Sequence, residues 1–226
     1  FWFRDTVNGG QYALNAAMTE DIDLADTGDW VRIAINSNNS SSRAYSGTFD
    51  GQNHTIKNLS LKNTSSSGKY LALFERVLEK GKICNLKLEN VQIAGNQYVA
   101  AFVAKNAGTV ENCHIVSGKL SESTNYYGYC GGICAEASST SKITNCSNAA
   151  EITGAGNYLG GIAATNAGEI TGCTNTGRIA STRTYQSQTG GIAGRNDKLI
   201  DRCANTGEVY AESARVGGIA GDTIRN

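Results

Sequence analysis

The sequence contains no proline among its 226 residues, and only one methionine. A chain without proline keeps every backbone N–H available as a donor, which suits a sheet with neighbours on both edges of each strand. It also lacks charge of either sign in excess: Lys plus Arg and Asp plus Glu each number 20, for a net charge of zero. A nucleic-acid footprint needs a basic excess gathered in a stripe, so that class of partner is excluded. No apolar run reaches the roughly 18 residues of a membrane-spanning helix. There is no H-E-x-x-H to hold a catalytic zinc and no C-x-x-C pair. The glycine-rich stretches lack the lysine and hydroxyl of a phosphate loop. No cofactor and no metal is implied.

What is abundant is glycine, with 27 residues. Glycines and asparagines between short apolar runs mark many tight turns. They recur with a period near 30. Gly131-Gly132-Ile133, Gly160-Gly161-Ile162, Gly190-Gly191-Ile192 and Gly217-Gly218-Ile219 are four copies of one signal. Ala72-Leu73-Phe74 and Ala100-Ala101-Phe102 hold the same place with bulkier residues. Downstream come Asn106, Asn166 and Asn196. Next is an apolar column of Ile83, Val110, Ile143, Ile170 and Ile200, and then Asn148, Asn175 and Asn205. Each unit holds three short β-like runs that cannot bury their apolar face alone but can when stacked. The reading is all-β: a right-handed parallel β-helix, or β-solenoid, with coils of about 30 residues. The Gly-Gly step reads as a bend with close approach between coils. The asparagines read as ladders at turns in left-handed geometry.

The same columns sort the seven cysteines. Cys113, Cys146, Cys173 and Cys203 share a position with Leu86, and Leu59 starts that column if Ile56 to Leu61 is aligned with Ile83 to Leu88. Cys130 stands with Leu71, Val99, Leu159 and Val216, and Cys134 with Val103, Ala163 and Ala193. Positions that accept leucine face a core, where cysteine is a small buried hydrophobe. Cys84 aligns with Lys57, Glu111, Thr144, Thr171 and Asp201, so it is expected to face solvent and to label fastest.

Residues 1–46 differ and read as an N-terminal cap with the first coil. A short helix is expected around Tyr12 to Met18, strands at Asp21–Leu24 and Trp30–Ile35, and a loop from Asn36 to Ser46. Residues 47–226 read as one continuous run of repeats. The opening on Phe1, Trp2 and Phe3 and the close partway through a repeat read as the ends of an excised piece.

The runs GGIAATNAGEITGCTNTGRI (Gly160 to Ile179) and GGIAGRNDKLIDRCANTGEV (Gly190 to Val209) resemble the GLUG repeats of bacterial surface and secreted proteins. VNGG (Val7 to Gly10), EDIDL (Glu20 to Leu24) and GTFDGQNHTIKNLSL (Gly47 to Leu61) resemble the segment that precedes such repeats. The resemblance implies an extracellular or cell-surface, adhesin-like module without catalytic residues. Similar repeats flank the catalytic part of immunoglobulin-A-cleaving metallopeptidases. The sequence departs from the motif at Ala72-Leu73 and Ala100-Ala101.

Candidate binding residues are aromatic. Tyr70, Tyr98, Tyr129 and Tyr158 share a column and read first as a stacking ladder. Tyr126, Tyr127 and Tyr185 fall in two segments of variable length, Ser117 to Gly128 and Ser181 to Gln188. Insertions of this kind gather on one face of a solenoid and mark its binding face. The expected partner is a host or matrix glycan or protein, met at Tyr126, Tyr127, Tyr129, Tyr158 and Tyr185. The alternatives are a non-catalytic segment of a large secreted peptidase and a glycan-processing β-helix enzyme. Asp21, Asp23, Asp26, Asp29 and Asp50 are the acidic residues to watch for a glycan-active or calcium site, against a plainer role in capping turns. His54 and His114 lie about two coils apart and suggest no catalytic arrangement.

Overall fold

The structure is a computed structural model that describes residues 1–35, 43–65, 69–124, 127–212 and 214–223, with nothing said of the Ala214 side chain. One coil illustrates the unit. The chain runs through Tyr129–Gly131, bends at Gly132, continues through Cys134–Ala137, and turns into Lys142–Thr144 and Ser147–Asn148. It closes through Glu151–Gly154. The next coil repeats this path directly on top, and every strand pairing is parallel. Stacking builds three six-stranded sheets and one twelve-stranded sheet. The chain is therefore a β-solenoid. Its core is one continuous apolar cluster from Val7 to Ile192.

The Gly-Gly column has a specific packing cause. A Cβ added at Gly160 would lie 1.9 Å from the Ala163 carbonyl oxygen, and one at Gly161 would lie 2.2 Å from that of Gly191. The second glycine also makes room for an amide in its own coil. The same added Cβ would stand 2.4 Å from Cγ of Asn175, and its equivalents at Gly132 and Gly191 would crowd Asn148 and Asn205. Where Leu73 and Ala101 replace that glycine, Leu88 and Ile115 replace the asparagine. The register Leu88–Ile115–Asn148–Asn175–Asn205 shows this directly. The two departures from the repeat motif are thus one departure. Coils without the buried amide have no need of the glycine.

The amides form buried ladders. Asn148 Nδ2 donates to Asn175 Oδ1 at 2.8 Å, and Asn175 Nδ2 donates to Asn205 Oδ1 at 2.8 Å. Asn166 donates to Asn196 in the same way. In the Ala137 coil, which lacks the amide, Asn106 Nδ2 donates to Ser141 Oγ instead. None of these ladder residues has left-handed backbone. That geometry belongs to a different column at the corner before the cysteines, Asn85, Asn112, Asn145, Gly172 and Arg202. The expectation thus joined two properties that the fold assigns to separate columns.

Three further expectations need correction. Ile56 to Leu61 matches Ile83 to Leu88 residue for residue in character, yet Ile56 pairs with Leu88 and Leu61 with Ile93. Leu59 therefore does not begin the cysteine column. Gly51 lies against Leu86 there, and a Cβ on Gly51 would be 2.8 Å from the Leu86 Cα. Apolar alternation is satisfied by either register, and the turn at 51–54 selects the observed one. Near the N-terminus the helix (α1) is Trp2–Asn8, not the stretch around Tyr12. Ala16–Ala17 is instead a strand on Phe49 and Asp50, whose ladder satisfies the backbone groups that a helix would have paired internally. Trp30 to Ile35 contributes only an isolated bridge from Ile33 to Phe74, because Ala34 turns left-handed at φ 59°. Of the loop expected from Asn36 to Ser46, residues 36–42 lie outside the described residues.

Cys84 keeps its expected register opposite Glu111, with Asp50 in place of Lys57 on its other side, but it is only 5% exposed. Burial raises the pKa of its thiol, and the nearby Asp50 carboxylate adds to that. A short side chain in an outward column is covered by its longer neighbours, which column chemistry alone does not show. Cys203, in the last complete coil, is the partly exposed thiol, and its sulfur accepts from the Cys173 backbone N–H. Its contact with the Cys173 side chain, followed by burial, raises its pKa too. The expected result of alkylation is slow reaction at all seven cysteines, with Cys203 the first because it is the one the surface reaches. Mass spectrometry of the labelled peptides checks this; Cys84 reacting first would restore the discarded reading.

Candidate aromatic binding face

The coil spacing places four tyrosines in register: Tyr70, Tyr98, Tyr129 and Tyr158. Their ring centroids are 5.0, 4.5 and 5.0 Å apart in succession. Beneath them Ala72, Ala100, Ala104 and Ala135 form a small buried floor, separate from the main core. The small residues let the sheets on either side of the bend approach and form a groove. Its opposite wall is the column Arg76, Lys105, Glu136, Thr165 and Arg195. Lys105 Nζ lies 4.7 Å from the Tyr98 ring centre and 3.2 Å from Glu136. A cavity of about 240 Å³ opens where Tyr129, Glu136, Tyr158, Arg195 and Asp197 meet. Burial raises the pKa of both the Tyr98 and Tyr129 hydroxyls. Rings that stack on one another have spent their faces, so the ladder offers edges and hydroxyls to a ligand.

The exposed aromatic rings are elsewhere. Three consecutive coils turn the same corner through loops of different length. Residues 123–128 and 182–186 are long, and 155–157 between them is short. The long loops are two coil steps apart, about 9.6 Å at the strand spacing, and the short one leaves a notch. Tyr127 in the first long loop is 62% exposed and Tyr185 in the second is 65% exposed. Tyr127 holds a left-handed φ of 49°, and so does Gln186 beside Tyr185. Side-chain residues rarely adopt this geometry, and it recurs at sites where the surroundings dictate it. Arg183 reaches from the second long loop onto the short one, donating from Nη1 to the Ala155 carbonyl at 3.4 Å, and from Nε to the Tyr185 carbonyl in its own loop. Of the expected binding residues, Tyr129 and Tyr158 are in the ladder, Tyr127 and Tyr185 flank the notch, and Tyr126 lies outside the described residues.

One residue was missed by sequence reasoning. Glu122 ends the strand before the first long loop and is 4% exposed, with its side chain turned into the corner. Its Oε1 accepts the Thr124 backbone N–H at 2.5 Å. The carboxyl occupies space that side chains at Gly128 and Gly156 would fill. Burial pushes its pKa up to about 8. In sequence it is one more acid in an alternating strand; the glycines at 128, 154 and 156 were the only hint.

Two aspartates near the N-terminus, Asp23 and Asp50, cap turns, and two others, Asp21 and Asp29, reach across to the next coil. Asp21 accepts the Thr55 N–H, Asp23 those of Ala25 and Asn58, Asp29 the Ser60 hydroxyl, and Asp50 those of Gln52 and Asn85. Among the described residues no three His, Cys, Asp or Glu side chains gather as a metal site. Stacking does bring His114 Nδ1 to 2.9 Å from Ser147 Oγ, a contact that spacing did not suggest. Burial and then Lys87 hold that imidazole below its usual pKa. Such surroundings disfavour the imidazolium that a serine-activating base must become.

Comparison with known proteins adds a fold relative and a sequence relative. No family model matches the chain. A 111-residue stretch is 32% identical to halomucin of Haloquadratum walsbyi; it covers 46% of this chain and 1% of halomucin. The solved structure of a proposed immunoglobulin A1 protease from Bacteroides ovatus superposes with a TM-score of 0.61 at 23% identity. That match takes in 99% of this chain and 60% of the solved one. The chain is thus similar in fold to that solved structure over 99% of its own length, and it spans only part of either relative.

Proposed function

We propose that this chain is a non-catalytic β-solenoid module of a surface or secreted protein, which holds a ligand at its aromatic loops. The observation that carries this is the notch at 155–157, flanked by the exposed rings of Tyr127 and Tyr185 on a rigid stack. Rigid aromatic anchors beside a concave floor are the usual high-energy contacts of a binding surface. The names of the two relatives and the GLUG-like repeats support a surface or secreted setting. The ladder residues Tyr129 and Tyr158 extend the same side of the molecule. The partner suited to such a site is a host or matrix glycan or protein.

The test is a glycan and matrix-protein array probed with the wild type and with a Tyr127→Ala/Tyr185→Ala double variant. Binding by the wild type with at least a tenfold loss in the variant is the expected result. Undiminished binding by the variant would move the site elsewhere, and no binding by either protein would leave a spacer. The likeness to the Bacteroides ovatus chain favours a second reading, an accessory segment of a secreted peptidase. On that reading the module captures immunoglobulin A1 and leaves it uncut.

A further inference from the structure

The two sides of the notch meet at one buried group. Glu122 lies at the base of the first long loop, and its Oε1 holds the Thr124 N–H within that loop. Its Oε2 is buried without a hydrogen-bond partner. Side chains at Gly154 and Gly156, in the short loop of the next coil, would lie 3.2 and 2.6 Å from that oxygen. The Glu122 backbone carbonyl accepts from Ala155 N–H at 3.3 Å. The second long loop joins the same corner through Thr182, whose backbone N–H donates to the Gly154 carbonyl at 2.8 Å, and through Arg183 on Ala155. One carboxyl therefore touches the first loop directly, the short loop directly, and the second loop through the short one.

We propose that Glu122 is a protonation-dependent pin for the notch. Neutral, it stays sealed in the corner and holds Thr124, Gly128 and residues 155–157 in place; ionised, it draws water in and releases them. The inference rests on the notch being the binding site only for its biological meaning; the pin itself is a property of the unliganded chain.

The physical ground is the cost of burying a charge. An unpartnered acceptor in a sealed site is tolerable on a neutral carboxyl and costly on a carboxylate. Two other ionisable groups face it. The backbone N–H groups of Thr124 and Gly156, then Arg183 and the Ala155 N–H, favour the charged form, but together less than burial opposes it. Cys130 carries no charge at neutral pH, because burial holds its thiol well above the usual range. The sign follows from linkage. With the loops open, Glu122 is solvated and titrates near the ordinary carboxylate value of about 4.3. With them closed it titrates near 8. Below both values the proton is bound in either state and opening is insensitive to pH. Between them the closed state binds a proton that the open state has lost, so opening grows about tenfold per pH unit. Above both it levels off.

The experiment is hydrogen exchange with mass-spectrometric readout on the ligand-free chain, from pH 5 to 9.5, for the wild type and Glu122→Gln. Gln keeps the Oε1 acceptor and cannot ionise. The ratio of the two proteins at each pH cancels the intrinsic base catalysis of exchange. The expected result is a wild-type to variant ratio that climbs between pH 5 and 8 and then flattens, confined to peptides covering 120–128 and 154–157. A ratio that stays flat, or one that climbs equally in the Asn175 and Asn205 peptides, would overturn the pin. Should the variant not fold, the wild type alone decides. After correction for intrinsic rates, excess exchange confined to those peptides supports the pin, and none refutes it. Because no ligand is present, failure here leaves the binding reading untouched, and failure of the array leaves the pin untouched.

Discussion

Replacing Gly161 by alanine is expected to destabilise the solenoid by about 3 kcal/mol, at the upper end of what overpacking costs. The added methyl would lie 2.2 Å from the Gly191 carbonyl oxygen and 2.4 Å from Cγ of Asn175. Neither neighbour is a flexible chain end. One is backbone at the bend between two paired strands, and the other is a side chain held by a buried ladder. The strand would have to rise off its neighbour, and every rung above would feel the shift. Gly218, two coils later in the same column, is the control, because an added Cβ there meets nothing within 4 Å. Gly218→Ala should stay within about 0.5 kcal/mol of the wild type. Thermal melts followed by circular dichroism suffice. For a chain of this size the Gly161 variant should lose roughly 6–12 °C, at 2–4 °C per kcal/mol. Equal melting of the two variants would show that the glycines serve the backbone bend and not the close approach.

The second large effect is expected at the amide that this glycine accommodates. Asn175 is 1% exposed. It donates to Asn205 Oδ1 and to the Gly177 carbonyl, and accepts from Asn148 Nδ2. Asn175→Leu keeps the volume and removes both functions. Groups on three neighbouring residues then lose a partner in a site closed to water. At about 1–3 kcal/mol for each group left wholly unsatisfied, a loss of about 3 kcal/mol is expected. Asn205→Leu should cost less, since that rung is half-buried and water can replace the lost bond. The Gly161→Ala/Asn175→Ala double variant should be less damaging than the sum of the single ones, because removing the amide relieves part of the clash. The coupling is measured by urea denaturation around the cycle. Strict additivity would mean that the two columns do not touch as described.

These residues also show where sequence reasoning succeeds and where it stops. The repeat of Gly-Gly, isoleucine and asparagine near every 30 residues determined that the chain is a stack of parallel coils. One such coil cannot bury its own apolar face, and identical coils can bury each other's. The inward columns of Cys113, Cys130, Cys134, Cys146, Cys173 and Cys203 followed from the same logic, as did the tyrosine ladder, since both depend only on period and polarity. Register within a similar pair of runs did not follow. Ile56 to Leu61 and Ile83 to Leu88 look interchangeable, and the turn after Asp50 sets them five residues out of step. Burial of a short outward side chain did not follow either, because Cys84 is covered by residues that are distant in sequence. Nor did Glu122, whose inward turn depends on glycines in the next coil leaving a hole for it. The period alone was enough to establish the fold and its Gly-Gly column. That the second glycine of that column exists to seat an amide, and that a carboxyl is sealed under the aromatic notch, was decided only by contacts between coils. Such contacts carry no periodic signal of their own.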